Sequence, residues 1–424
     1  MSNSITHKLS KNKSSKNRFQ ITGLIIFLGH FAFIFRQKVF ERARSTLKFD
    51  VLDAYAAVDI MIVSFLVLVL LCSRRLSGFF SKTFKSSVSW LLAYYLLCAL
   101  SAVWSLRPAY SLYRSVEFAV FFISLAVAVS YNEGFEKAER KVLLLSLLSV
   151  LVQMGLHLRS TNLLSLWSWH TNAYTASAAV IFVYCAGEYL SIANKKLSTD
   201  RKRKKMLLLY GSLSLPLLAL GTSSASNVSV LFGIIVILFV KRKIGLMMII
   251  IYVSLLFFML GGSSESLMKI IFPFKTEQQI STGGGRAAIW QLYIDRIAES
   301  PVWGYGLGVL PIKGYSAMSA LSHNFIFSIL IGTGFLGFTI FFIFGIKLAT
   351  EMIRSLMRKV DGATGVFGAM AAGFLNSLSM PMIADRWATA SFAFFAIFAL
   401  YIFYVYPYNM QSSKKSYSMQ PEKT

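Results

Sequence analysis

The residues best suited to chemistry lie in two short segments of the 424-residue chain. In the first, Gly283, Gly284 and Gly285 directly precede Arg286. Glycine amides at the start of a helix can point at an anion, and a guanidinium adds positive charge and paired donors. The segment therefore predicts an anion site, although a flexible turn with Arg286 reaching to lipid headgroups explains the same residues.

The second segment is His323 with Asn324, at the start of a long apolar run. An imidazole titrates near neutral pH and can take a proton from a hydroxyl group. A lone histidine in such a place is more often a capping or packing residue, so the residue types alone leave both roles open. The glycine segment has no preceding strand and no Gly-Lys-Ser/Thr ending, so it is not a P-loop.

An amphipathic helix is predicted to begin at Arg286 and to end before Pro301. At 100° per residue its two faces differ in polarity. The face shared with Arg286 carries Trp290, Tyr293, Ile294 and Ile297. The opposite face carries Gln291, Asp295 and Glu299. Such a helix suits the surface of a membrane.

The rest of the chain has the composition of a polytopic, all-α integral membrane protein. Hydrophobic residues make up 56%, aromatic residues 15%, and the mean hydropathy is +0.61, more than a soluble fold can bury. Because about 20 apolar residues cross a bilayer, we expect about twelve transmembrane helices, within a range of 10–12. They are predicted near residues 20–35, 54–72, 88–104, 115–130, 141–157, 173–192, 206–221, 226–240, 244–261, 323–347, 362–380 and 387–406.

The net charge of +25 is explained by basic residues in the loops of this topology, so we expect no nucleic-acid partner. Basic residues concentrate in short loops, most strongly at 195–205 and 241–243, which the positive-inside rule assigns to the cytoplasm together with both termini. The loop at 36–48 is the exception, since its five bases are predicted to lie outside.

Five segments result from this topology. They are a basic cytoplasmic tail (1–19), transmembrane helices 1–9 (20–261), an outer-face loop (262–322), transmembrane helices 10–12 (323–406) and a cytoplasmic tail (407–424). The outer-face loop is the long extramembrane segment and the predicted place for chemistry. Cys72, Cys98 and Cys185 lie in or beside apolar runs without metal-ligand spacing, so we expect packing roles, no metal and no cofactor.

Four motifs follow one another in the outer loop and the span after it: GGGRAAIW from Gly283, ESPVWGYGLG from Glu299, HN at His323, and GTGFLG from Gly332. With SLRPAYSLYRS at 105–115, their order and spacing resemble the O-antigen ligase and polysaccharide polymerase superfamily of the Wzy and ExoQ type. The resemblance covers most of residues 100–350. One departure is TSSASNVS at 222–229, which lacks the arginine of a Ser-Arg step found in many relatives.

The resemblance implies a GT-C-like fold and a metal-independent glycosyltransferase. Its donor would be an undecaprenyl-diphosphate-linked oligosaccharide at the outer face of the bacterial inner membrane. An acceptor hydroxyl attacks the anomeric carbon and the diphosphate leaves, which requires a base and positive charge. His323 would be the base and Arg286 would hold the diphosphate. Further substrate-binding candidates are Gly283, Gly284, Gly285, Asn324, Arg107, Arg114 and Arg296.

Three functions are compatible with the sequence. A polymerase would join repeat units of an exopolysaccharide or O-antigen, and a ligase would transfer the glycan to lipid A core or protein. The third function is a transporter of lipid-linked sugars, which needs ionisable groups near the midplane of the membrane. Asp59 and Glu117 lie toward the ends of their spans, so an enzyme is favoured over a transporter. The expected partners are the donor, a glycan acceptor, membrane lipids, and chain-length regulator and export proteins.

Overall fold

A computed structural model describes residues 21–36, 54–160, 172–192, 198–220, 223–261, 286–309, 324–380, 382–383, 387 and 390–407. Within these ranges the regular elements are helices, as predicted for an α-helical membrane protein. The helices are α1 (Ile21–Arg36), α2 (Ala54–Leu71), α3 (Arg75–Thr83), α4 (Val88–Leu100), α5 (Pro108–Ser130), α6 (Phe135–Ser160), α7 (Asn172–Ile192), α8 (Ser198–Leu220), α9 (Ser224–Val240), α10 (Ile244–Gly261), α11 (Arg286–Glu299), α12 (Phe325–Met357), α13 (Ala363–Ser377) and α14 (Ser391–Leu400, extended by a π-helical turn Tyr401–Val405).

Each of the twelve apolar segments coincides with a helix, and α11 is the predicted amphipathic helix. The sequence did not predict α3, which follows α2 at an angle of 89°. Among the described residues, Pro108–Ser130, Tyr174–Ile192 and Phe325–Met357 are long and apolar enough to cross a membrane singly, and the bent pair of α2 and α3 would make a fourth. The number of spans and the GT-C-like fold therefore stay predictions.

Small residues let the central helices approach closely. A methyl group on Gly187 of α7 would lie 2.9 Å from the Gly365 Cα of α13, and one on Gly365 would lie 2.7 Å from the Tyr184 carbonyl oxygen. Without a hydrophobic driving force between spans, such close backbone contacts are a main source of helix association in membranes. Of the cysteines, Cys98 and Cys185 are buried as predicted, but Cys72 is exposed at the end of α2.

The helix ends gather at two ends of the bundle. One, the loop end, contains residues 101–108 and 300–309. The other, the basic end, contains residues 131–135, 241–243 and 358–362, and its contacts join segments that the topology assigns to the cytoplasm. The Tyr404 hydroxyl donates to the Asn132 carbonyl at 2.7 Å, and Lys241 Nζ donates to Ser191 Oγ at 3.0 Å.

At the basic end, buried carboxylates hold helix starts in place. Arg203, which the sequence assigned to a basic cytoplasmic loop, lies in α8 with a side chain only 8% exposed. Its guanidinium binds Glu139 in a bidentate pair at 2.6 and 2.5 Å and Glu188 at 2.7 Å. Glu188 also accepts the amides of Gly362 and Gly365 at 3.1 and 2.8 Å, so it caps the start of α13.

Glu351 has the same function for α4. Its carboxylate accepts the Ser87 amide at 2.8 Å and the Ser87 hydroxyl at 2.7 Å, and the Tyr401 hydroxyl lies 3.2 Å away. Because a carboxylate at a helix start meets unsatisfied amides and the positive end of the helix dipole, this contact fixes α12 and α14 against α4.

Candidate active site

The helix after the outer loop is longer than predicted and is broken. The sequence predicted a single span at 323–347, whereas α12 runs to Met357, and Gly334 inside it has φ 62° and ψ −162°. Its 33 residues would measure about 50 Å, against about 30 Å for the hydrocarbon core. The helix is therefore longer than one straight span requires, and the break at Gly334 divides it into a first segment, Phe325 to Thr333, and a longer second segment.

Backbone groups left open by this break are satisfied by residues 300–309, which we term the glycine loop. In an unbroken helix Phe335 and Leu336 would donate to the carbonyls of Ile331 and Gly332. Those carbonyls instead accept from Tyr305 and Gly306 at 2.8 and 2.9 Å. The freed amides donate to Pro301 at 2.7 Å and Val302 at 3.3 Å. The break and the glycine loop therefore complete each other's hydrogen bonding.

Two glycines of the recognised motifs are required by this junction. A methyl group on Gly334 would lie 2.2 Å from the Val302 carbonyl oxygen, and one on Gly304 would lie 2.4 Å from the Ile331 carbonyl oxygen. Both residues also have positive φ, which favours glycine. The GYGLG and GTGFLG motifs thus have a structural explanation, namely the close contact of loop and helix.

The glycine loop also binds the start of α5, within the segment SLRPAYSLYRS. The Leu307 amide donates to Ser101 Oγ at 3.3 Å, and its carbonyl accepts the Ser111 hydroxyl at 3.0 Å. The Leu106 amide donates to the Tyr305 carbonyl at 3.4 Å. One loop therefore joins the end of α4 and the start of α5 to α12, which comes much later in the sequence.

An aromatic contact holds α11 against the first segment of α12. The Phe327 ring lies 5.9 Å from the Trp290 ring and 6.1 Å from the Tyr293 ring, and Tyr293 is 2% exposed. Arg286 is the first residue of α11, and Asn324 immediately precedes α12. Asn324 lies about one helical turn from Phe327, and Arg286 lies about one turn from Trp290 and two turns from Tyr293. The contact therefore brings two helix N-termini into one neighbourhood.

Asn324 caps α12, because its Oδ1 accepts the Ile326 amide at 2.9 Å. Gly283, Gly284, Gly285 and His323 lie outside the described residues, as does the Arg286 side chain. Their roles in the reaction stay predictions.

The amphipathic pattern of α11 is largely confirmed. Trp290 and Tyr293 face α12, and the polar residues of the opposite face, Gln291, Asp295 and Glu299, are exposed. Ile294 is the departure, since it was predicted on the apolar face and is 48% exposed. It follows Tyr293 by 100° around the helix, and the contact with α12 is centred on Trp290 and Tyr293.

Arg296 forms an ion pair at the C-terminal end of α11. Its Nη1 lies 2.7 and 2.8 Å from the two Glu299 carboxylate oxygens. The Tyr305 hydroxyl lies 3.0 Å from Glu299 Oε2 and 3.2 Å from the Arg296 carbonyl, so it ties the glycine loop to the end of α11. The hydrogen bond from Arg296 lowers the pKa of Glu299, whereas partial burial and the Glu299 charge raise the pKa of Tyr305.

Arg107 and Arg114 differ in their surroundings. Arg107 is exposed and directly precedes α5, with its amide donating to Ser105 Oγ at 3.0 Å. Arg114 lies one to two turns further along, with Nη1 2.6 Å from Glu117 and 3.9 Å from Asp59. Arg36 completes this cluster by pairing with Asp59 at 2.6 Å. The charges of two arginines and two carboxylates from α1, α2 and α5 thus cancel. The sequence analysis had not predicted these ion pairs of Arg114.

Two serines of the segment noted as a departure, Ser226 and Ser229, form buried hydrogen bonds. Ser226 Oγ, at the start of α9, lies 3.1 Å from Thr175 Oγ1 and accepts from Asn376 Nδ2 at 3.1 Å. Ser229 Oγ accepts from the same amide at 3.2 Å. These buried hydrogen bonds join α7, α9 and α13.

Residues 209–342, about a third of the chain, match the family model described as O-Antigen ligase. Over this segment the chain is similar to the O-antigen ligase family. The matched segment runs from α8 into α12 and contains all four motifs, so it supports the O-antigen ligase and Wzy superfamily predicted from them. No curated protein matches the chain.

Proposed function

We propose that this protein polymerises undecaprenyl-diphosphate-linked repeat units into an exopolysaccharide or O-antigen chain at the outer face of the bacterial inner membrane. The observation that carries the proposal is the Phe327 contact with Trp290 and Tyr293, which gathers the starts of α11 and α12. Two helix N-termini with a glycine-rich entry suit a diphosphate, because their amides and dipoles favour negative charge.

The reaction follows from the residues at those starts. An acceptor hydroxyl forms a bond to the anomeric carbon while the bond from that carbon to the diphosphate oxygen breaks. The proton of the hydroxyl passes to the His323 imidazole, which directly precedes the Asn324 cap. The charge that develops on the leaving diphosphate is stabilised by Arg286 and the adjacent amides.

The glycine loop supplies rigidity rather than chemistry. It fixes the broken part of α12 on one side and, through Tyr305, the end of α11 on the other. A catalytic group displaced by about 1 Å can lose orders of magnitude in rate, so a junction made of backbone bonds favours a positioned site.

The second candidate is a ligase that transfers the glycan to lipid A core or to protein. The description of the matching family favours it, and it uses the same donor and the same residues. A transporter is less well supported, because Asp59 and Glu117 are paired with Arg36 and Arg114 in a balanced, buried cluster. Such pairing suits a fixed structural role more than alternating ionisation.

The test is an assay with purified protein in detergent and an undecaprenyl-diphosphate-linked repeat unit without added metal. A ladder of products supports the polymerase, and transfer to added lipid A core without a ladder supports the ligase. No transfer of authentic substrate would refute both.

Three variants then test the site in the active assay. Arg286→Ala and His323→Ala should each reduce transfer by about 100-fold or more, and Phe327→Ala should reduce it with the protein still folded. Phe342→Ala is the matched control, because Phe342 lies on the same helix and is largely exposed. Full activity of both Arg286→Ala and His323→Ala would show that the catalytic assignment is wrong.

A further inference from the structure

The short helix α3 turns sharply away from α2. It follows α2 at 89°, so if α2 crosses the bilayer, α3 runs in the plane of the surface. The turn is fixed by Ser73, whose hydroxyl lies 2.7 Å from the Tyr131 hydroxyl and accepts the Arg75 amide at 3.2 Å. Because these contacts join α3 to the end of α5, the helix is held at the basic end.

One face of α3 is anchored in the protein core. Phe79 and Thr83 are fully buried, and the Phe79 ring lies 6.1 Å from Phe122 of α5 and 6.3 Å from Phe403 in the π-helical turn of α14. Beyond the helix, the Phe84 ring contacts Phe80 at 5.9 Å and is 70% exposed. This places an aromatic side chain where acyl chains would meet the edge of the protein.

Basic side chains border this buried face. Arg74, Arg75, Lys82 and Lys85 are all exposed, and Arg75 and Lys82, seven residues apart, lie on the side of the helix that carries Phe79. Lys82 Nζ lies 5.0 Å from the centre of the Phe403 ring and the Arg75 guanidinium lies 6.0 Å from that of Tyr131, so both charges are held at the edge of the protein. No aspartate or glutamate occurs in the sequence between Asp59 and Glu117. In the described part of the chain, no ion pair joins Arg74, Lys82 or Lys85 to a carboxylate, and nearby Glu351 is bound by Ser87.

We propose that α3 and its flanking residues form a binding site for the headgroup of an anionic phospholipid in the leaflet at the basic end. Arg74, Arg75, Lys82 and Lys85 would contact the phosphate, and Phe84 would lie among the acyl chains. Partial burial, and after it the positive charge of Arg75, lowers the pKa of Lys82, and a bound anion would offset the repulsion between these two charges. This site is separate from the proposed active site at the loop end.

An exposed cysteine next to α3 can carry a fluorescent label that reports on this site. Cys72 is exposed immediately before the turn into α3, whereas Cys98 and Cys185 are buried. A fluorophore attached to Cys72 can therefore be quenched by spin-labelled lipids in phosphatidylcholine vesicles that contain the full chain. The measurement compares spin-labelled phosphatidylglycerol with spin-labelled phosphatidylcholine at equal mole fraction.

We expect phosphatidylglycerol to quench more strongly, and 0.5 M NaCl to reduce the difference. Each Lys or Arg near an anionic headgroup contributes roughly a fivefold preference, so Lys82→Gln with Lys85→Gln should lower the relative association constant by about tenfold or more. The matched control is Lys202→Gln with Lys205→Gln, which removes two exposed charges on α8. Equal quenching by both lipids in the unmodified chain, or an equal loss in the control, would overturn the proposal.

Discussion

The two ends of the bundle hold their helices by different interactions. At the loop end, backbone amides and carbonyls of the glycine loop bind the break at Gly334. At the basic end, the carboxylates of Glu188 and Glu351 accept amides at the starts of α13 and α4. The first junction depends on the absence of side-chain atoms, and the second depends on buried charge. Adding side-chain atoms should therefore destabilise the loop end, whereas removing charge should destabilise the basic end.

The largest effect is expected from Arg203→Met at the basic end. This change leaves Glu139 and Glu188 buried without their guanidinium, and removing one partner of a buried ion pair typically costs about 3–5 kcal/mol. Thermal unfolding of purified protein in detergent measures the loss. Lys202→Met is the control, because Lys202 is exposed on the same helix. Equal unfolding temperatures of the two variants would show that buried charge does not hold this end.

A somewhat smaller loss is expected from Gly334→Ala at the loop end. The added methyl group would overlap the Val302 carbonyl, and alanine is strained at φ 62°, so we expect a loss of about 2–4 kcal/mol. The control is Gly345→Ala on the same helix, where a methyl group meets nothing within 4 Å and should be neutral or slightly stabilising. If both alanine variants unfolded alike, the contact between loop and break would not be required.

The smallest effect concerns the exposed pair of Arg296 and Glu299. Because the pKa of Glu299 is lowered below its ordinary value of 4.5, its stabilising contribution is present above that pH and is lost as the pH falls through the lowered value. The difference in unfolding temperature between the unmodified chain and Glu299→Gln should therefore be small at pH 7 and vanish in acid. A difference that grew as the pH fell would contradict the assigned direction.

Hydropathy was sufficient to locate most of the fold. The twelve apolar segments became helices because a run of about 20 apolar residues has few other options in a bilayer. α3 was missed because it is nine residues long and contains an arginine and a lysine, so it resembles a loop. The break at Gly334 was missed because the surrounding run is continuously apolar, and hydropathy does not report backbone angles.

The candidate site was only partly predictable. The sequence identified α11 and its inward-facing aromatic residues because a 3.6-residue period is visible in 14 residues. The pairing of Arg114 with Glu117, three residues on in α5, was missed although its spacing is visible in the sequence, whereas Asp59 comes from another helix and could not be identified. The alternate glycines at 304, 306 and 308 were recognised only as part of a family motif, and the structure shows that they allow close contact with neighbouring segments.

The glycine loop also has a consequence for synthesis of the chain. Its partners at Ser101 and Ser111 are made about 200 residues earlier, while its partners at Ile331 and Gly332 are made about 25 residues later. The ribosome must therefore produce three quarters of the chain before the start of α5 can acquire its final contacts. During that interval the hydroxyls at this end of α5 are available to water or to a chaperone. The loop end is accordingly a late-assembling part of the molecule, completed only when α12 enters the membrane.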